Sequence, residues 1–496
     1  MLPSSRLVCA GCGRPADPTD PAPFRCAGER PGDEIDHVLR RELGPVASAA
    51  RDAARTLFAD PEPNPFLRYR QLLHSDATAI AAGSSDAERV ATIRALDAAV
   101  AEVDGRGFSA TPMRSHPALA DALGLGPQGE VWVKDETGNV SGSHKARHFF
   151  GLQLWLSTHQ NGDRHQPPRD SSDRGINAFD RDKGCLSPAE APLAVASCGN
   201  AALAAAVVAR AVGRRLAVFI PPDASPAVVE RLRSLGADLT VCPRRAGESG
   251  DPCYLRYREA VAAGAVPFSC QGNENALVIE GGKTLAWEMV SDLLHDGRSL
   301  DHLVIQVGGG ALASASSQAL LEAHALGVLP RLPRLHTVQT VAAHPLERAY
   351  ERVVARLIAS PGVGEAAPAE PLARATWIRD CLPATAIADV LHYAATHRGL
   401  FMRPWESTPA SVAHGILDDE TYDWLAVLDG MLRTGGVPVL ADEATLVEAN
   451  RLAGRATGIA ADETGTSGLA GALTLARTGA FAPGERVALL FTGVRR

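Results

Sequence analysis

No apolar run of about 18 residues occurs in the 496-residue sequence, so a membrane-spanning helix is not expected. The opening residues, MLPSSRLVCAGCG, lack a long apolar core followed by a cleavage site, and we do not expect a secretory signal peptide. An excess of basic residues is also missing, because the formal net charge is -8. A negative chain is a poor general binder of nucleic acid or membrane surfaces, so we expect neither as a partner.

The cysteines lack the regular pattern of a disulfide framework. Nine cysteines, an odd number, are scattered along the chain. This distribution is typical of free thiols in a reducing compartment, so we expect a cytoplasmic protein.

Three cysteines near the amino terminus form a separate group. The stretch CAGCGRPADPTDPAPFRC places Cys9, Cys12 and Cys26 in a CxxC…C arrangement, which is typical of the knuckle of a zinc ribbon. The fourth cysteine of a ribbon is absent, and His37 in DEIDHVL is the only nearby candidate for a fourth ligand. Two interpretations remain, a zinc site and a metal-free remnant of one.

From GEVWVKDE at 129–136 onward, strand patterns alternate with helical patterns. Short apolar runs such as LAVASCG, RRLAVFIPP and HLVIQVG are each followed by a longer segment of helical character. This alternation predicts βαβ units, and therefore an α/β fold whose parallel sheet carries helices on both faces. Two further helices are predicted, one from DEIDHVLRREL at 33–43 and a broken or kinked one from NALVIEGGKTLAWEMVSDLL at 275–294.

The chain is too long for one compact core, so two or more domains are expected. Residues 1–40 are rich in Pro, Gly, Cys and charge, and they predict a small irregular module. Residues 41–496 make up the remainder, in which the stretches 157–190 and 358–420 break the alternation and predict insertions.

Three loops follow predicted strands, where open α/β sheets place their ligands. SCGN at 197–200 runs into an alanine-rich helix whose first amides can receive an anion. VGGGALASA contains Gly308, Gly309 and Gly310, which leave the backbone amides unobstructed for a phosphate, and LLFTG places the hydroxyl of Thr492 after a buried strand. The plainer alternatives are a capped glycine turn, a tight turn and the ordinary end of a strand.

The stretch SGSHKARHFF puts Lys145 at the start of a predicted helix. A lysine acts as a nucleophile only when its amine is partly neutral, which requires burial or neighbouring positive charge. His144 and Arg147 lie close in sequence, and HFFGLQLWL supplies apolar surroundings. The alternative is an ordinary solvated lysine.

Together these segments resemble the fold-type II pyridoxal-phosphate enzymes, the tryptophan synthase β family, and within it threonine synthase and the serine/threonine dehydratases. KDETGNVSGSHKARH is similar to their lysine segment K-x-E-x-x-N-x-T-G-S-F-K-x-R, SCGNAALAAA to S-S-G-N-x-A and VGGGALASA to the phosphate loop G-G-G-G-L. DETGTSGLAGAL and LLFTG resemble the late E-x-S-G-A-A-x-A-A segment and the closing strand. The matches keep the family's order and cover roughly residues 108–345 and 440–494.

The resemblance implies two α/β lobes with parallel or mixed sheets flanked by helices, the smaller lobe lying roughly over 131–260, with the cofactor between them. Lys145 would form the Schiff base with pyridoxal 5'-phosphate and later move the Cα proton. Thr492 would face the pyridine nitrogen, and a hydroxyl there suits β-elimination and replacement over transamination. Asn200 would bind the 3-oxygen of the cofactor. The phosphate would be held by Gly308, Gly309, Gly310 and Ala311, and the substrate carboxylate by Ser197, Cys198, Gly199 and Asn200.

Three features depart from the family's pattern. His144 stands where the family has a Phe, Ala146 stands where it has an acidic residue, and the phosphate loop has three glycines instead of four. His144 is either a packing substitute or an extra acid beside the leaving group. These departures put the substrate in doubt and leave the cofactor unaffected.

We therefore expect a pyridoxal-phosphate-dependent lyase that deprotonates a serine- or threonine-like amino acid at Cα and eliminates a β- or γ-leaving group. One alternative is a β-replacement synthase that uses a thiol or amine. Another is a non-catalytic protein of the same fold that senses an amino acid or partners an active enzyme. The lookalike families imply a homodimer.

Overall fold

The computed structural model describes residues 2–20, 22–30, 32–160, 191–248, 250–359 and 367–496. From residue 161 onward, the insertion expected at 157–190 lies outside these ranges.

Strands and helices alternate between residues 113 and 340, and helices follow one another directly in the stretches before and after. The strands are β1 (Ser5–Cys9), β2 (Leu39–Leu43), β3 (Met113–Ser115), β4 (Glu130–Asp135), β5 (Leu193–Ala196), β6 (Leu216–Ile220), β7 (Asp238–Val241), β8 (Val266–Pro267), β9 (His302–Gln306), β10 (Arg334–Thr340), β11 (Pro438–Ala441) and β12 (Arg486–Phe491). The helices are α1 (Ser48–Ala59), α2 (Pro65–Arg68), α3 (His74–Ala81), α4 (Asp86–Asp104), α5 (Pro117–Ala122), α6 (Lys145–Gln160), α7 (Asn200–Ala211), α8 (Pro226–Ser234), α9 (Pro252–Ala262), α10 (Val278–Asp296), α11 (Ala311–Ala325), α12 (Pro345–Ile358), α13 (Pro371–Cys381), α14 (Ala384–Thr396), α15 (Arg398–Phe401), α16 (Trp424–Thr434), α17 (Glu443–Thr457) and α18 (Ser467–Arg477). None of these helices is long and apolar enough to cross a bilayer.

The strands form three sheets. The largest has six strands in the order β11-β10-β9-β12-β4-β3 and is parallel except for β3. The second has four parallel strands in the order β7-β6-β5-β8, and β1 and β2 form an antiparallel pair. The expected α/β fold with parallel and mixed sheets is thus confirmed. Strand β4 belongs to the larger sheet, so the smaller sheet spans 193–267 and not the whole of 131–260.

The helix predicted at 33–43 is wrong, because Leu39–Leu43 forms β2 and pairs with β1. The residues LRREL alternate between the two faces, with Leu39 buried and Arg40 exposed. Arg41 points inward and forms buried ion pairs with Glu280 and Glu322. A period of two that includes an inward charge is hard to distinguish from a charged helix in sequence alone.

The break predicted in the helix at 275–294 is also wrong, since α10 is continuous. Its two glycines lie where α6 passes closely. A Cβ at Gly281 would lie 1.9 Å from the carbonyl oxygen of Arg147, and one at Gly282 would lie 2.2 Å from Cε1 of His148. The pair therefore permits a close helix crossing instead of a kink.

The second expected insertion, 358–420, contains three helices between residues 371 and 401. Helices α13, α14 and α15 occupy most of 371–401. Ile378, Ile387 and Val390 on these helices are buried in the main hydrophobic core. This stretch is therefore a packed part of the fold.

Candidate active site

Three neighbouring strands of the larger sheet, β9, β12 and β4, end at one edge of the sheet because they run parallel. Gly308 to Gly310 follow β9, Thr492 follows β12, and Lys145 begins α6 after the loop that leaves β4. The strand order thus collects three of the predicted groups at one edge.

The segment before Lys145 is held against the end of β12. Ser143 forms an isolated antiparallel bridge with Gly493, and the amide of Val494 donates to the carbonyl of Gly142 at 3.0 Å. Ser141 has a φ of 54°, a left-handed conformation that costs energy for a residue with a side chain. Strain of this kind is retained where surrounding contacts fix the backbone, as they do here.

Lys145 is partly buried. It lies near two acidic side chains, Asp418 and Asp423, of residues 415–423. We call this range the cover segment. Burial raises the pKa of Asp418 to about 6, and the positive charge of Lys145 opposes that shift. Burial likewise raises the pKa of Asp423 to about 7, again against the attraction of Lys145. The lysine amine therefore sits in an electrostatic environment shared with two carboxyl groups.

Arg147 does not supply a free positive charge beside Lys145, contrary to the possibility raised from the sequence. Its fully buried guanidinium contacts Glu136 at 2.8 and 2.9 Å and Glu288 at 2.5 Å. Lys134 also pairs with Glu288, at 2.7 Å. Lys134 and Glu136 of the K-x-E motif and Arg147 of the K-x-R motif thus belong to one buried ion network, which anchors α6 next to Lys145.

His144, directly before Lys145, is buried against the end of β12. Its Nδ1 lies 3.4 Å from the carbonyl oxygen of Thr492, and its ring meets that of His148 edge-on at 5.9 Å. Burial, followed by the charge of Lys145, lowers the pKa of His144 well below its usual value. The imidazole is therefore neutral at neutral pH, and this geometry favours packing over a role as an acid.

Thr492 is buried and already accepts one hydrogen bond. Gln306 Nε2 donates to Thr492 Oγ1 at 2.7 Å and to the carbonyls of Leu490 and Gly465 at 3.1 Å. Because Gln306 is the donor, the hydroxyl hydrogen of Thr492 is available to an acceptor such as a ring nitrogen. Sequence reasoning missed Gln306, although a glutamine at the end of the apolar strand HLVIQ is a visible signal.

The cover segment packs directly onto the glycine loop after β9. Thr421 Oγ1 donates to the carbonyl of Gly308 at 3.0 Å, and the amide of Asp423 donates to the carbonyl of Gly309 at 3.1 Å. Gly310 has a φ of +98° and caps the start of α11. Ala311, the fourth residue predicted to hold the phosphate, is the first residue of that helix.

This loop has the features of an anion cradle. A Cβ at Gly308 would lie 2.2 Å from Oδ2 of Asp418 and 2.9 Å from Cα of Ile416, so any side chain would fill the space. The Gly309 amide is close enough to the Asp418 carboxylate to lower its pKa against the larger effect of burial. The loop therefore presents a backbone donor to an anionic oxygen, as a phosphate cradle must.

The SCGN loop follows β5 in the smaller sheet and is open to solvent. Cys198 is exposed, and the amide of Gly199 donates to Ser197 Oγ at 3.3 Å. Asn200 is the first residue of α7, and its Oδ1 accepts a hydrogen bond from Arg496.

Asn200 connects the smaller sheet to the end of β12. A Cβ at Gly493 would lie 2.9 Å from Nδ2 of Asn200 and 3.1 Å from Oδ1 of Asp462. The amide of Asp462 donates to the carbonyl of Gly493 at 3.0 Å. Sequence reasoning did not single out Asp462 or Arg496, although Asp462 lies in the segment DETGTSG that carries part of the resemblance.

The structure thus brings Lys145, Thr492, Asn200 and the glycine loop together, and it leaves the cysteine group outside. That group gathers at the ends of β1 and β2 instead. Among the described residues, the buried polar atoms around the lysine segment that lack a hydrogen-bond partner are Ser141 Oγ, Ser143 Oγ, His144 Nε2, His148 Nε2 and Gln306 Oε1. Together with the hydroxyl of Thr492 and the amide of Gly309, this set of donors and acceptors fits a phosphorylated pyridine ring.

Comparison with curated proteins finds partial relatives. An L-serine dehydratase of Saccharomyces cerevisiae is 30% identical over 175 residues, which are 33% of this chain and 51% of the relative. A threonine synthase of Mycobacterium bovis is 28% identical over 186 residues, 36% of this chain and 48% of the relative. The chain spans about half the length of the curated relatives it matches.

Solved structures share the fold across most of the chain. A threonine deaminase of T.th. superposes with a TM-score of 0.52 at 20% identity, covering 81% of this chain and 98% of the other. A diaminopropionate ammonia lyase from Escherichia coli gives 0.54 at 16% identity, covering 88% and 92%. The profile of the family described as pyridoxal-phosphate dependent enzyme matches residues 104–414, more than half of the chain. The chain therefore belongs to the family of pyridoxal-phosphate dependent enzymes.

Proposed function

We propose that the protein is a lyase that acts on a serine- or threonine-like amino acid and eliminates a β- or γ-leaving group. The observation that carries this proposal is the hydroxyl of Thr492 at the end of β12, where Gln306 fixes the threonine oxygen and the segment before Lys145 is held against the next residue, Gly493. A hydroxyl donates to a ring nitrogen without placing a full charge beside it, which favours elimination over transamination. The serine dehydratase and threonine synthase names of the partial relatives support the substrate class.

In this proposal each residue has a defined task. When bound, pyridoxal phosphate supplies a conjugated ring that withdraws electrons from Cα of the substrate. Lys145 Nζ would hold the cofactor and take the Cα proton. Asn200 Nδ2 would donate to the 3-oxygen, and the amides of the glycine loop and Ala311 would hold the phosphate.

The substrate end is assigned to the SCGN loop. Its position at the carboxyl end of β5, with α7 beginning at Asn200, directs the first amides of a helix toward a carboxylate. Cys198 beside these amides is exposed to solvent, which suits a site that a small amino acid enters and leaves. Ser197, Cys198, Gly199 and Asn200 therefore form the proposed carboxylate site.

Visible absorption spectroscopy with turnover assays tests the proposal. We expect wild-type protein to develop the yellow absorbance of a lysine-bound cofactor, and Lys145→Ala to lack it and to lose activity by about 10³-fold or more. Lys145→Arg is the matched control, because it keeps a cation but cannot form the covalent link. No absorbance in wild-type protein with added pyridoxal phosphate would overturn the cofactor assignment.

The product distinguishes the alternatives. Release of a 2-oxo acid and ammonia from serine, threonine or a β-substituted alanine identifies the lyase. Product formed only when a thiol or amine is added identifies a β-replacement synthase. A spectral change on amino-acid binding without any product identifies a sensor or partner subunit.

We further propose a cytoplasmic homodimer, with the free thiols and the lookalike families as support. Light scattering after gel filtration checks the dimer. Zinc at the amino-terminal cysteines is proposed independently of the reaction.

A further inference from the structure

The amino-terminal module brings four metal-binding side chains to one point. One ligand atom from each of Cys9, Cys12, Cys26 and His37 lies within 4.8 Å of the others. The Sγ atoms of Cys12 and Cys26 are 3.6 Å apart, and Cys9 Sγ lies 3.5 Å from His37 Nδ1. Tetrahedral zinc with its usual bond lengths requires roughly 3.8 Å between two sulfurs and roughly 3.6 Å between sulfur and nitrogen. The observed separations match a tetrahedral site.

The topology of the module produces this arrangement. Cys9 ends β1 and pairs with Leu39, the first residue of β2, so the two strands bring Cys9 and His37 to the same end. The amide of Gly13 donates to the carbonyl of Cys9 at 3.0 Å and closes the turn that carries Cys12. The four ligands therefore come from a fixed backbone.

Groups around the cluster orient the ligands. Asp33 Oδ2 lies 3.0 Å from His37 Nε2, so the imidazole hydrogen sits on that nitrogen and the lone pair of Nδ1 faces the thiols. The amide of Cys12 donates to Cys9 Sγ at 3.4 Å, and the amide of Gly28 donates to Cys26 Sγ at 3.3 Å. A carboxylate behind the histidine and amides donating to sulfur are the outer contacts that stabilise a thiolate-rich metal site.

The same module is attached to the catalytic region beside the ligands. Asp36 accepts a hydrogen bond from Trp424 Nε1 at 2.6 Å, and its amide donates to the carbonyl of Ala395 at 2.7 Å. Trp424 directly follows Asp423 of the cover segment. A ligand that fixes His37 therefore also fixes its neighbour Asp36 against Trp424, the first residue of α16.

We propose that Cys9, Cys12, Cys26 and His37 bind one zinc ion, which fixes the amino-terminal module against the catalytic region. Three thiolates and one imidazole select zinc, a redox-inert ion that accepts tetrahedral sulfur and nitrogen ligands. All four positions are filled by protein, so the site is structural and leaves no position for substrate. The missing fourth cysteine of a ribbon is replaced by His37.

Metal analysis of the purified protein tests the site. We expect about one zinc per chain in wild type and in Cys381→Ser, a matched control at an exposed cysteine outside the module. Cys12→Ser should retain less than about a tenth of that zinc, and because Cys12 is exposed, its substitution leaves the core packing intact. Zinc removal by a chelator should lower Tm by about 10 °C.

Cobalt substitution supplies a readout that does not depend on the folding of a variant. Wild-type protein loaded with Co²⁺ should show the strong visible bands of tetrahedral cobalt with thiolate ligands, and Asp33→Asn should weaken zinc affinity by about 10-fold. Cobalt-treated wild type without these bands, or full zinc retention in Cys12→Ser, would overturn the proposal. A Cys12–Cys26 disulfide under reducing conditions would overturn it too. None of these outcomes depends on whether the protein is a lyase.

Discussion

The loops after β5 and β9 both lead into a helix, yet their surroundings differ. A Cβ added at Gly199, in the loop after β5, would meet nothing within 4 Å. One added at Gly309, in the loop after β9, would lie 2.9 Å from the ring of Tyr422. The first loop is open to solvent, whereas the cover segment closes the second.

This difference matches the two kinds of ligand that the loops are proposed to hold. A cofactor phosphate stays in place through many turnovers, so a closed cradle fixed by neighbouring backbone serves it well. A substrate must enter and leave in each turnover, which requires an open approach. Similar glycine-containing loops are therefore distinguished by the residues that pack on them.

The largest effect on cofactor binding is expected from a side chain added in the closed loop. Gly310→Ala combines a φ of +98° with a Cβ that would lie 2.9 Å from Thr421 Cγ2. Backbone strain and overpacking together cost about 3 kcal/mol, so we expect the Kd for pyridoxal phosphate to rise about 100-fold. Absorbance titration measures this Kd. Gly399→Ala, where a Cβ meets nothing within 4 Å, is the control, and equal affinities in both variants would refute the closed-cradle interpretation.

A smaller effect is expected from the cover segment itself, as a dependence of stability on pH. Burial raises the pKa of Asp423 from 3.8 to about 7, so the buried carboxyl favours its protonated form. Its contribution to stability is complete below pH 4 and is lost as pH rises toward 7. In cofactor-free protein, wild type should therefore lose about 2 kcal/mol relative to Asp423→Asn over this range. Urea unfolding at several pH values measures the difference; parallel curves for the two proteins would contradict it.

The smallest change is expected in the open loop. Gly199→Ala should alter the Kd for pyridoxal phosphate by less than about 2-fold, because its Cβ meets no neighbour. The added methyl group stands where the substrate carboxylate is proposed to approach, so KM should rise about 3-fold with kcat little changed. Steady-state kinetics and cofactor titration separate the two effects. A loss of cofactor affinity as large as that of Gly310→Ala would remove the distinction between the loops.

Periodicity in the sequence predicts most of the sheet and the loops at its edge. The apolar runs that form β5, β6, β9 and β12 are short, strongly hydrophobic and bounded by glycine or proline, so each is readily assigned as a strand. The order of the loops along the chain then locates Lys145, Asn200, Gly308 and Thr492. Their grouping in space follows from the strand order, which the alternation alone does not specify.

What escapes prediction depends on partners far away in sequence. The sequence suggests a free charge at Arg147 near Lys145, but Glu288, 141 residues later, pairs with it. The cover segment is not recognisable in the sequence, because it contains no motif. Its importance comes from its packing onto Gly308 and Gly309. The sequence of β2 resembles a charged helix, because the acidic partners of its inward Arg41 lie far away in sequence, on α10 and α11.

The position of β12 has a consequence for how the chain assembles. This strand comes last in the described sequence, yet it lies between β9 and β4 in the larger sheet. Until Arg486–Phe491 is synthesised and inserted, β4 and β9 have no shared neighbour, and the sheet exists as two separate parts with exposed edges. Such long-range pairing slows folding, and the edges of β4 and β9 stay exposed until β12 inserts. Cofactor capture is therefore expected to follow the insertion of β12 and to report a completed larger sheet.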